Sequence, residues 1–329
     1  MSNVMQPLGR VLTFGEPMVV CVPKEAGKLT EVRDFRTDCA GAEMNTAIGL
    51  ARLQVPTSYL ARVGDDPFGE LIRRQLRAEG VDDTLVDVSA ERPTGVYFKQ
   101  WHGLKKQTQV FYYRALSAMA GEGFAIDRAI SRLQEAAFAW VHATGITWMI
   151  GSDAKQSSFE LVKSAKLAGV PVSFDVNIRL KLAPIEEWRA FVRQVLPHVT
   201  WVFMGDGEAE QLYGTCDAGE VLTRLCENGF SGTGVVVKCG DKGADLATTA
   251  KRLHVDPWPV ETVVDTVGAG DGFNAGFIAG MLRGFPLDQC LRLGSLVGAY
   301  AVTGSGDFSQ YPTWTEVAAH LDGKGVVER

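Results

Sequence analysis

The sequence predicts an α/β fold in which helices cover both faces of a mainly parallel sheet and a second, smaller sheet stands beside it. From about residue 134 onward, short apolar runs rich in β-branched residues alternate with helix-like segments, as they do in βαβ units. In the first third of the chain, strand-like runs follow one another closely. No long linker or internal repeat interrupts the 329 residues, so we expect one domain over 1–329.

The small sheet is predicted in the first third of the chain. Segments 11–23, 94–102 and 108–114 have the pattern of antiparallel strands and hairpins. We expect them to form a sheet that projects from the main body through excursions at about 13–40 and 94–114. The exposed edge of such a sheet would suit self-association, so the chain is a candidate homo-oligomer.

Apolar runs predict the strands of the main sheet at 138–145, 170–177, 200–205 and 234–240. Between the first two runs, segment 158–169 predicts a helix that ends at Gly169. The apolar face of that helix consists of Phe159, Leu161, Val162, Ala165 and Leu167. Segment 292–308 predicts a further helix that leads to a turn.

Composition argues against several classes of function. A formal net charge of -6 and a pI of 5.5 give no general attraction for nucleic acid or for an anionic membrane. The six cysteines are scattered without a C-x-x-C pair, which suggests neither a disulfide framework nor a zinc site. The first residues show no secretory signal and no apolar run reaches membrane-spanning length, so we expect a cytoplasmic protein.

The segment "DTVGAGDGFNAGF" (265–277) carries the clearest chemical signal. Apolar residues recur at helical spacing after Asp271, so Gly268, Ala269 and Gly270 fall at a helix N-terminus, where backbone amides can bind a phosphate. A carboxylate in that turn can accept a proton from a hydroxyl while the amides stabilise a transferring phosphoryl group. The alternative is that Asp271 only caps the helix and the glycines only pack closely.

This segment resembles the C-terminal motif of the ribokinase-like (PfkB-type) sugar kinases, and the N-terminal motif of that family has a counterpart here as well. "CAGAEMNTAIGLARLQVPTSYLARVGDDPFGE" (39–70) is similar to it, with Gly41 and Asn45 in the G-G-x-x-x-N element and "GDDPFG" (64–69) in the G-x-D-x-F-G element. Ala40 replaces the first glycine of the usual pair. The resemblance extends from "TFGEP" (13–17) to "GSGDF" (304–308).

The resemblance implies a ribokinase-like three-layer α/β/α domain with a β-sheet lid over the sugar site, and it assigns roles to residues. Asp271 would be the base, and Gly268, Ala269 and Gly270 the anion hole. The nucleotide would be bound by Asn177, Lys238, Gly240, Gly243 and Ser295. Glu208 would influence Mg²⁺ binding, although Gly205 stands where the family has asparagine. The implied cofactors are ATP and Mg²⁺, and a monovalent cation such as K⁺ is compatible with the family.

The lid segments resemble the subset of the family that phosphorylates 2-keto-3-deoxygluconate. Arg114 and Arg179 could each pair with a substrate carboxylate, because a guanidinium matches that planar anion. The remaining sugar contacts are expected from Gly41, Asn45, Tyr97, Tyr112 and Asp307. The implied reaction is the transfer of the ATP γ-phosphoryl group to the terminal 6-hydroxyl.

Three alternatives remain open from the sequence. Arg114 could be a solvated strand residue and the tyrosines ordinary sheet packing. The acceptor could be that of a fructokinase, a ribokinase or a 5-dehydro-2-deoxygluconokinase, since fold does not choose a substrate. The chain could also be a non-catalytic sugar- or nucleotide-binding regulator on a kinase scaffold.

Overall fold

The computed structural model describes residues 8–25, 27–102 and 107–321, and for 101, 102, 107 and 108 it describes the backbone alone. The strands, in chain order, are β1 (Val11–Phe14), β2 (Met18–Pro23), β3 (Phe35–Ala40), β4 (Thr57–Gly64), β5 (Asp82–Ser89), β6 (Gly95–His102), β7 (Gln107–Tyr113), β8 (Trp140–Thr144), β9 (Val172–Asp175), β10 (Trp201–Gly205), β11 (Gly234–Lys238), β12 (Ala244–Thr248) and β13 (Arg252–Val255). The α-helices are α1 (Ala42–Arg52), α2 (Pro67–Ala78), α3 (Ala118–Glu122), α4 (Asp127–Gln134), α5 (Gly145–Met149), α6 (Ser152–Leu167), α7 (Ile185–Val195), α8 (Asp206–Tyr213), α9 (Ala218–Glu227), α10 (Ala269–Leu282), α11 (Leu287–Ala301) and α12 (Trp314–Leu321).

The main sheet confirms the predicted α/β class. Within the described residues it has nine strands in the order β13-β12-β11-β10-β9-β8-β1-β4-β5. Strands β11, β10, β9, β8, β1, β4 and β5 run parallel, whereas β12 and β13 pair antiparallel at one edge. The carboxyl ends of the parallel strands therefore meet at one edge, where α/β folds of this kind bind ligands.

The strand β10 shows how helices cover both faces of this sheet. Val202 and Met204 belong to the apolar cluster on one face, and Trp201 and Phe203 belong to the cluster on the other face. Phe277 of α10 packs on Trp201 with ring centroids 5.2 Å apart. Because successive strand residues point to opposite faces, an apolar run without alternation indicates burial on both sides.

The small sheet contains β3, β2, β6 and β7 in that order, and it corrects two expectations. Val11–Phe14 belongs to the main sheet, between β4 and β8, so the small sheet begins only at Met18. The strands β2 and β6 pair parallel, whereas only β2–β3 and β6–β7 are antiparallel. The chain crosses between the two sheets at Gly15, Glu16 and Pro17, where the proline has no amide proton for strand pairing.

Two helix predictions also need correction. The helix predicted at 158–169 begins earlier, at Ser152, and Leu167 on its supposed apolar face is 89% exposed. The helix predicted within 292–308 spans Leu287–Ala301, and the following residues form the turn. All six cysteines are unpaired. Within the described part of the chain, no helix is long and apolar enough to cross a bilayer.

Candidate active site

The centre of the site is the N-terminus of α10. Gly268 is its N-cap residue, with φ of 83°, a left-handed conformation that favours glycine. A Cβ atom on Gly268 would lie 1.8 Å from the carbonyl oxygen of Asp307, so no side chain fits there. The predicted anion hole, Gly268, Ala269 and Gly270, thus stands at the positive end of a helix of 14 residues.

Asp271 lies in the first turn of this helix and is buried. Its carboxylate oxygen Oδ2 accepts a hydrogen bond of 2.8 Å from Asn45 Nδ2. Burial raises the pKa of Asp271 from 3.8 to about 7, although the hydrogen bond from Asn45 opposes that rise. The charge of Asp175 raises the pKa further, whereas Lys238 and Arg179 lower it. The result is a carboxyl group that changes charge near neutral pH.

Gly41 and Asn45 place α1 beside this acid. Gly41 is the N-cap of α1 with φ of 145°, and a Cβ there would lie 2.6 Å from the carbonyl oxygen of Glu16. Asn45 is buried in the first turn and uses its amide nitrogen on Asp271. Its Oδ1 atom is buried and has no hydrogen-bond partner among the described residues. This oxygen is therefore a buried acceptor that no described residue satisfies.

Glu43, in the first turn of α1, anchors the start of this helix to the end of β8 and to α5. It is fully buried, and its Oε1 atom accepts hydrogen bonds of 2.7 Å from the hydroxyls of Thr144 and Thr147. A Cβ on Gly15, directly after β1, would lie 2.2 Å from the Glu43 carboxyl carbon, so a side chain there would displace this carboxyl group. Burial raises the pKa of Glu43, which favours its neutral form.

Lys238, at the end of β11, contacts the other side of α10. Its Nζ atom lies 2.6 Å from Asp175 Oδ2 and 3.4 Å from Asn274 Oδ1. Asn274 in turn donates to the same Asp175 oxygen at 2.7 Å. A Cβ on Gly270 would lie 3.2 Å from Lys238 Nζ, so the ammonium is next to the predicted anion hole. Asp175 Oδ1 is buried and has no hydrogen-bond partner in the described part of the structure.

Glu208 caps α8 through a carboxylate that uses both oxygens. Oε2 accepts from the Gly205 amide at 2.8 Å, and Oε1 accepts from the Ile178 amide at 2.6 Å. Burial and the neighbouring charge of Asp175 raise the pKa of Glu208. Asn177, which directly precedes Ile178, has φ of 48°, a strained conformation for a residue with a side chain. Glu208 thus holds the Asn177 turn next to Asp175.

The remaining nucleotide-site predictions lie on two loops. Gly240 and Gly243 form the turn between β11 and β12, with φ of 58° and 88°. A Cβ on Gly243 would lie 1.9 Å from the carbonyl oxygen of Val255, which requires glycine there. Ser295 on α11 accepts a hydrogen bond of 3.2 Å from the amide of Trp258. The Ser295 hydroxyl therefore fixes the loop after β13, and its nucleotide contact stays a prediction.

The small sheet reaches the site through β6. Tyr97 is buried, and its hydroxyl donates to Asp307 Oδ2 at 3.1 Å. Lys99 Nζ lies 2.9 Å from Asp307 Oδ1 and 3.5 Å from Asp265 Oδ2. The structure thus joins the predicted sugar residues Tyr97 and Asp307 directly.

Arg114 is buried rather than solvated, and it has a partner within the chain. Its guanidinium forms an ion pair with Glu16, whose other carboxylate oxygen accepts from the Ser117 hydroxyl. Arg114 also lies 5.7 Å from the ring centre of Tyr112, whose side chain is 40% exposed. Arg114 Nε is buried with no hydrogen-bond partner among the described residues. A substrate carboxylate would share this guanidinium with Glu16.

Arg179 differs from Arg114 in being exposed. Its Nη1 atom donates a hydrogen bond of 2.9 Å to the carbonyl oxygen of Ile178. Its positive charge lowers the pKa of Asp271, so the two side chains are close enough to interact. Arg179 thus remains available to an anionic ligand.

Several residues of the site were not predicted from the sequence: Glu16, Glu43, Lys99, Asp175 and Asn274. Glu16 and Asp175 could have been found from their place in the sequence. Glu16 follows β1 closely and Asp175 ends β9, and parallel strands present ligand-binding residues at these ends. Asn274 is one helical turn after Asp271, and Lys99 shares a strand face with Tyr97. Within the described residues, no cluster of three or more side chains is suited to hold a metal ion alone.

This fold and site define a sugar kinase, and comparison with known proteins agrees. The chain belongs to the pfkB family of carbohydrate kinases, whose model matches residues 9–314. The resemblance of its two motifs to this family is therefore confirmed.

The individual relatives include kinases of sugar acids and of fructose. The 2-dehydro-3-deoxygluconokinase of Bacillus subtilis (strain 168) is 33% identical over 320 residues, with 97% of each chain covered. The 2-dehydro-3-deoxygluconokinase of Thermoproteus tenax is 32% identical, with 92% of this chain and 91% of that protein covered. A fructokinase of Klebsiella pneumoniae is 29% identical, with 92% and 96% covered.

Solved structures show the same architecture. The PfkB protein of Polaromonas sp. JS666 has a TM-score of 0.84 at 32% identity, with 95% of this chain and 99% of that chain covered. A putative ribokinase II of E. coli, solved in complex with ATP and Mg²⁺, has a TM-score of 0.84 at 25% identity, with 96% and 100% covered. The ribokinase-like fold is therefore established, and related kinases bind ATP with Mg²⁺.

Proposed function

We propose that this kinase transfers the γ-phosphoryl group of ATP to the terminal 6-hydroxyl of 2-keto-3-deoxygluconate, giving 2-keto-3-deoxy-6-phosphogluconate. The observation that carries the proposal is the buried Asp271, held by Asn45 at 2.8 Å in the first turn of α10. A base with a pKa of about 7 is well matched to proton transfer near neutral pH. The choice of sugar is supported by the 2-dehydro-3-deoxygluconokinase relatives, since 2-dehydro and 2-keto name the same group.

On the sugar side, the chain binds and orients the reacting hydroxyl. Gly41 lets the sugar approach the start of α1, and Asn45 Oδ1 accepts a sugar hydroxyl. Asp271 accepts the proton of the 6-hydroxyl while the hydroxyl oxygen of the sugar attacks the γ-phosphorus of ATP. The bond between the γ-phosphorus and the oxygen that bridges to the β-phosphate breaks, and ADP is released. The amides of Gly268, Ala269 and Gly270 stabilise the charge on the transferring group.

On the nucleotide side, Lys238 contributes a positive charge beside the anion hole. Near it, Asp175 could hold a Mg²⁺ that arrives with the nucleotide, because its Oδ1 atom is buried without a hydrogen-bond partner among the described residues. Glu208 would act through its neighbour, since both of its oxygens already accept backbone hydrogen bonds. When bound, Mg²⁺ supplies positive charge that neutralises the β- and γ-phosphate oxygens.

Recognition of the acid group rests on arginine. We assign the carboxylate of the sugar acid to the Nε side of Arg114, with Glu16 holding the guanidinium from the opposite side. Arg179 supplies a second positive charge, which also lowers the pKa of Asp271. A neutral ketose would leave the buried Arg114 Nε unpaired, which costs about 1 to 3 kcal/mol.

Two further assignments follow from this reading. Because the phosphoryl donor is ATP, we place the reaction in the cytoplasm. We also propose self-association through the lid: Phe111, Tyr112 and Tyr113 are exposed on β7, one of the two edge strands of the small sheet within the described residues. Exposed aromatic residues on a sheet edge favour pairing with another copy. Sedimentation equilibrium with Tyr113→Lys should show a shift toward monomer, and an unchanged assembly would contradict this proposal.

The substrate is tested with a panel of sugars and sugar acids, monitored by coupled detection of ADP. The panel contains 2-keto-3-deoxygluconate, its galactonate epimer, 5-dehydro-2-deoxygluconate, fructose and ribose. We expect the highest kcat/KM for 2-keto-3-deoxygluconate. A higher value for fructose would favour the fructokinase alternative, and sugar binding without ADP release would favour a non-catalytic regulator.

A further inference from the structure

Lys99 is a buried cation that links the small sheet to two loops of the main domain. Its side chain is 3% exposed, and its Nζ atom lies 2.9 Å from Asp307 Oδ1 and 3.5 Å from Asp265 Oδ2. Tyr97, two residues earlier on β6, donates to the other oxygen of Asp307. One lid strand therefore holds Asp307 through both carboxylate oxygens.

The positive charge of Lys99 is stabilised by the negative charges of its two carboxylate partners. Burial opposes the positive charge of Lys99, but the carboxylates of Asp307 and Asp265 outweigh it and raise the pKa of Lys99. Asp38 on β3 adds a further negative charge near both Lys99 and Asp307. Removing one member of a buried ion pair leaves the charge of its partner uncompensated, which is strongly destabilising. The native arrangement of Lys99 and its carboxylates is therefore favoured over a displaced one.

Both carboxylates belong to segments that shape the start of α10. Asp265 Oδ1 accepts a hydrogen bond of 3.2 Å from the Val267 amide, directly before Gly268. The carbonyl oxygen of Asp307 occupies the space where a Cβ of Gly268 would lie, at 1.8 Å. A displacement of either segment would thus be transmitted to Gly268.

We propose that Lys99 is a positioning residue that couples the lid to the anion hole. Its ammonium group holds the segments of Asp265 and Asp307 together, and these segments hold Gly268 at the N-terminus of α10. Correct placement of the lid strand over the sugar is thereby linked to correct placement of the amides that stabilise the phosphoryl group. The inference rests on the proposed phosphoryl transfer at α10 and is independent of which sugar is the acceptor.

Lys181 provides a matched control. Its Nζ atom donates to the carbonyl oxygen of Val110 on β7 at 2.9 Å, so it also joins the lid to the main domain. Its contact is exposed and reaches neither Asp265 nor Asp307. Lys181→Met therefore removes a lid contact without touching the anion hole.

The test compares Lys99→Met, Lys99→Arg and Lys181→Met by steady-state kinetics. We expect Lys99→Met to lower kcat about 100-fold with the KM for ATP nearly unchanged, because misplacement of catalytic groups by about 1 Å has an effect of this size. Lys99→Arg should recover much of that loss, and Lys181→Met should stay near wild type. Equal losses in Lys99→Met and Lys181→Met, or a wild-type kcat in Lys99→Met, would overturn the inference.

A double variant separates positioning from simple charge compensation. Lys99→Met leaves buried carboxylates unpaired and could unfold the protein, whereas Lys99→Met/Asp265→Asn removes one of them. We expect the double variant to regain thermal stability but to keep the low kcat. Recovery of kcat together with stability would show that Lys99 only compensates charge.

Amide hydrogen exchange gives a readout that needs no turnover. In the protein without ligands, Lys99→Met should raise exchange at 264–272 and 303–308 relative to wild type and to Lys181→Met. If the wild type phosphorylates no sugar, the proposed function fails, while this comparison still tests the coupling. Unchanged exchange in both segments would contradict the coupling whatever the enzyme's substrate.

Discussion

Asn45 Nδ2 donates a hydrogen bond of 2.8 Å to Asp271 Oδ2, joining residues that are 226 positions apart in the chain. Each residue lies in the first turn of its helix, Asn45 on α1 and Asp271 on α10. The contact orients the Asp271 carboxylate and favours its ionised form, because only the carboxylate accepts the bond with full charge. Asn45 therefore adjusts the proposed base, in addition to the contact with the sugar that we propose for it.

Replacement of Asn45 should change the pH dependence of the reaction. In Asn45→Ala the pKa of Asp271 rises above its value of about 7, since a hydrogen bond that stabilises the carboxylate is lost. A hydrogen bond to a charged group contributes about 1.5 to 3 kcal/mol, so the acid limb of kcat/KM should move up by about one to two pH units. The measurement is the pH profile of kcat/KM.

Thr46→Val is the matched control for this profile. The Thr46 hydroxyl lies 3.3 Å from the backbone carbonyl oxygen of Asp271 and does not contact its carboxylate. The control should leave the acid limb in place. If Asn45→Ala also leaves it in place, Asp271 is not the group that titrates.

The raised pKa of Asp271 also predicts a pH-dependent stability. Between the ordinary aspartate pKa of 3.8 and the raised pKa of about 7, the folded state keeps a proton on Asp271 that the unfolded state has released. The free energy of unfolding then falls as pH rises through this range, because the folded state binds more protons. The full effect is on the order of 4 kcal/mol.

Asp271→Asn removes this titration and so isolates it. Its unfolding free energy relative to wild type should grow as pH rises from about 5 to about 8, since charges elsewhere cancel in the difference. Urea unfolding at several pH values measures this quantity. A difference that is independent of pH would mean that Asp271 is ionised throughout.

Alanine variants of two glycines with left-handed backbones distinguish the effect of close packing from the effect of backbone strain. Gly268 has φ of 83° and Gly284 has φ of 71°, but a Cβ on Gly284 meets no atom within 4 Å. Alanine at either position adds about 1 kcal/mol or more of backbone strain. Only Gly268→Ala should also lose most of its kcat, because its Cβ collides with the Asp307 segment. Equal kcat in the two variants would argue against an anion hole at Gly268.

The recognition of an acid group predicts a selective effect at Arg114. Arg114→Ala should lower kcat/KM for 2-keto-3-deoxygluconate by about 100-fold or more, as expected for loss of a charged hydrogen-bonding partner. The kcat/KM for a neutral ketose should fall much less. Thermal unfolding is measured beside the kinetics, because the variant leaves Glu16 buried without its ion-pair partner. Equal losses for acid and neutral sugars would remove the carboxylate assignment.

The N-terminus of α10 could be predicted from the sequence because its signal is local. Gly268 and Asp271 lie within one helical turn, and their roles follow from helix geometry alone. The strand limits around Glu16 were harder, because 11–23 is apolar almost throughout while the chain changes sheets inside it. The exposed Leu167 shows a similar limit, since helical spacing does not say where a helix leaves the core.

The partners of the charged site residues depend on tertiary contacts that no local pattern contains. The sequence predicts that Arg114 can pair with a substrate carboxylate, and it does not reveal that Arg114 already has an ion-pair partner in Glu16. Ser117, 101 positions from Glu16 in the chain, donates a hydrogen bond to the same carboxylate. Lys99 lay in a recognised strand, yet its role depends on Asp307, which is 208 positions away. Such pairs become visible only when the topology brings their elements together.

The central claim is that Asp271 accepts the proton from the sugar hydroxyl, and Asp271→Asn tests it most directly. The measurement is kcat with 2-keto-3-deoxygluconate and ATP, together with calorimetric binding of the sugar to the same variant. We predict that kcat falls by about 10²- to 10⁴-fold, the usual contribution of a general base, with sugar affinity nearly unchanged. A variant that binds the sugar and turns over at close to the wild-type rate would contradict the claim.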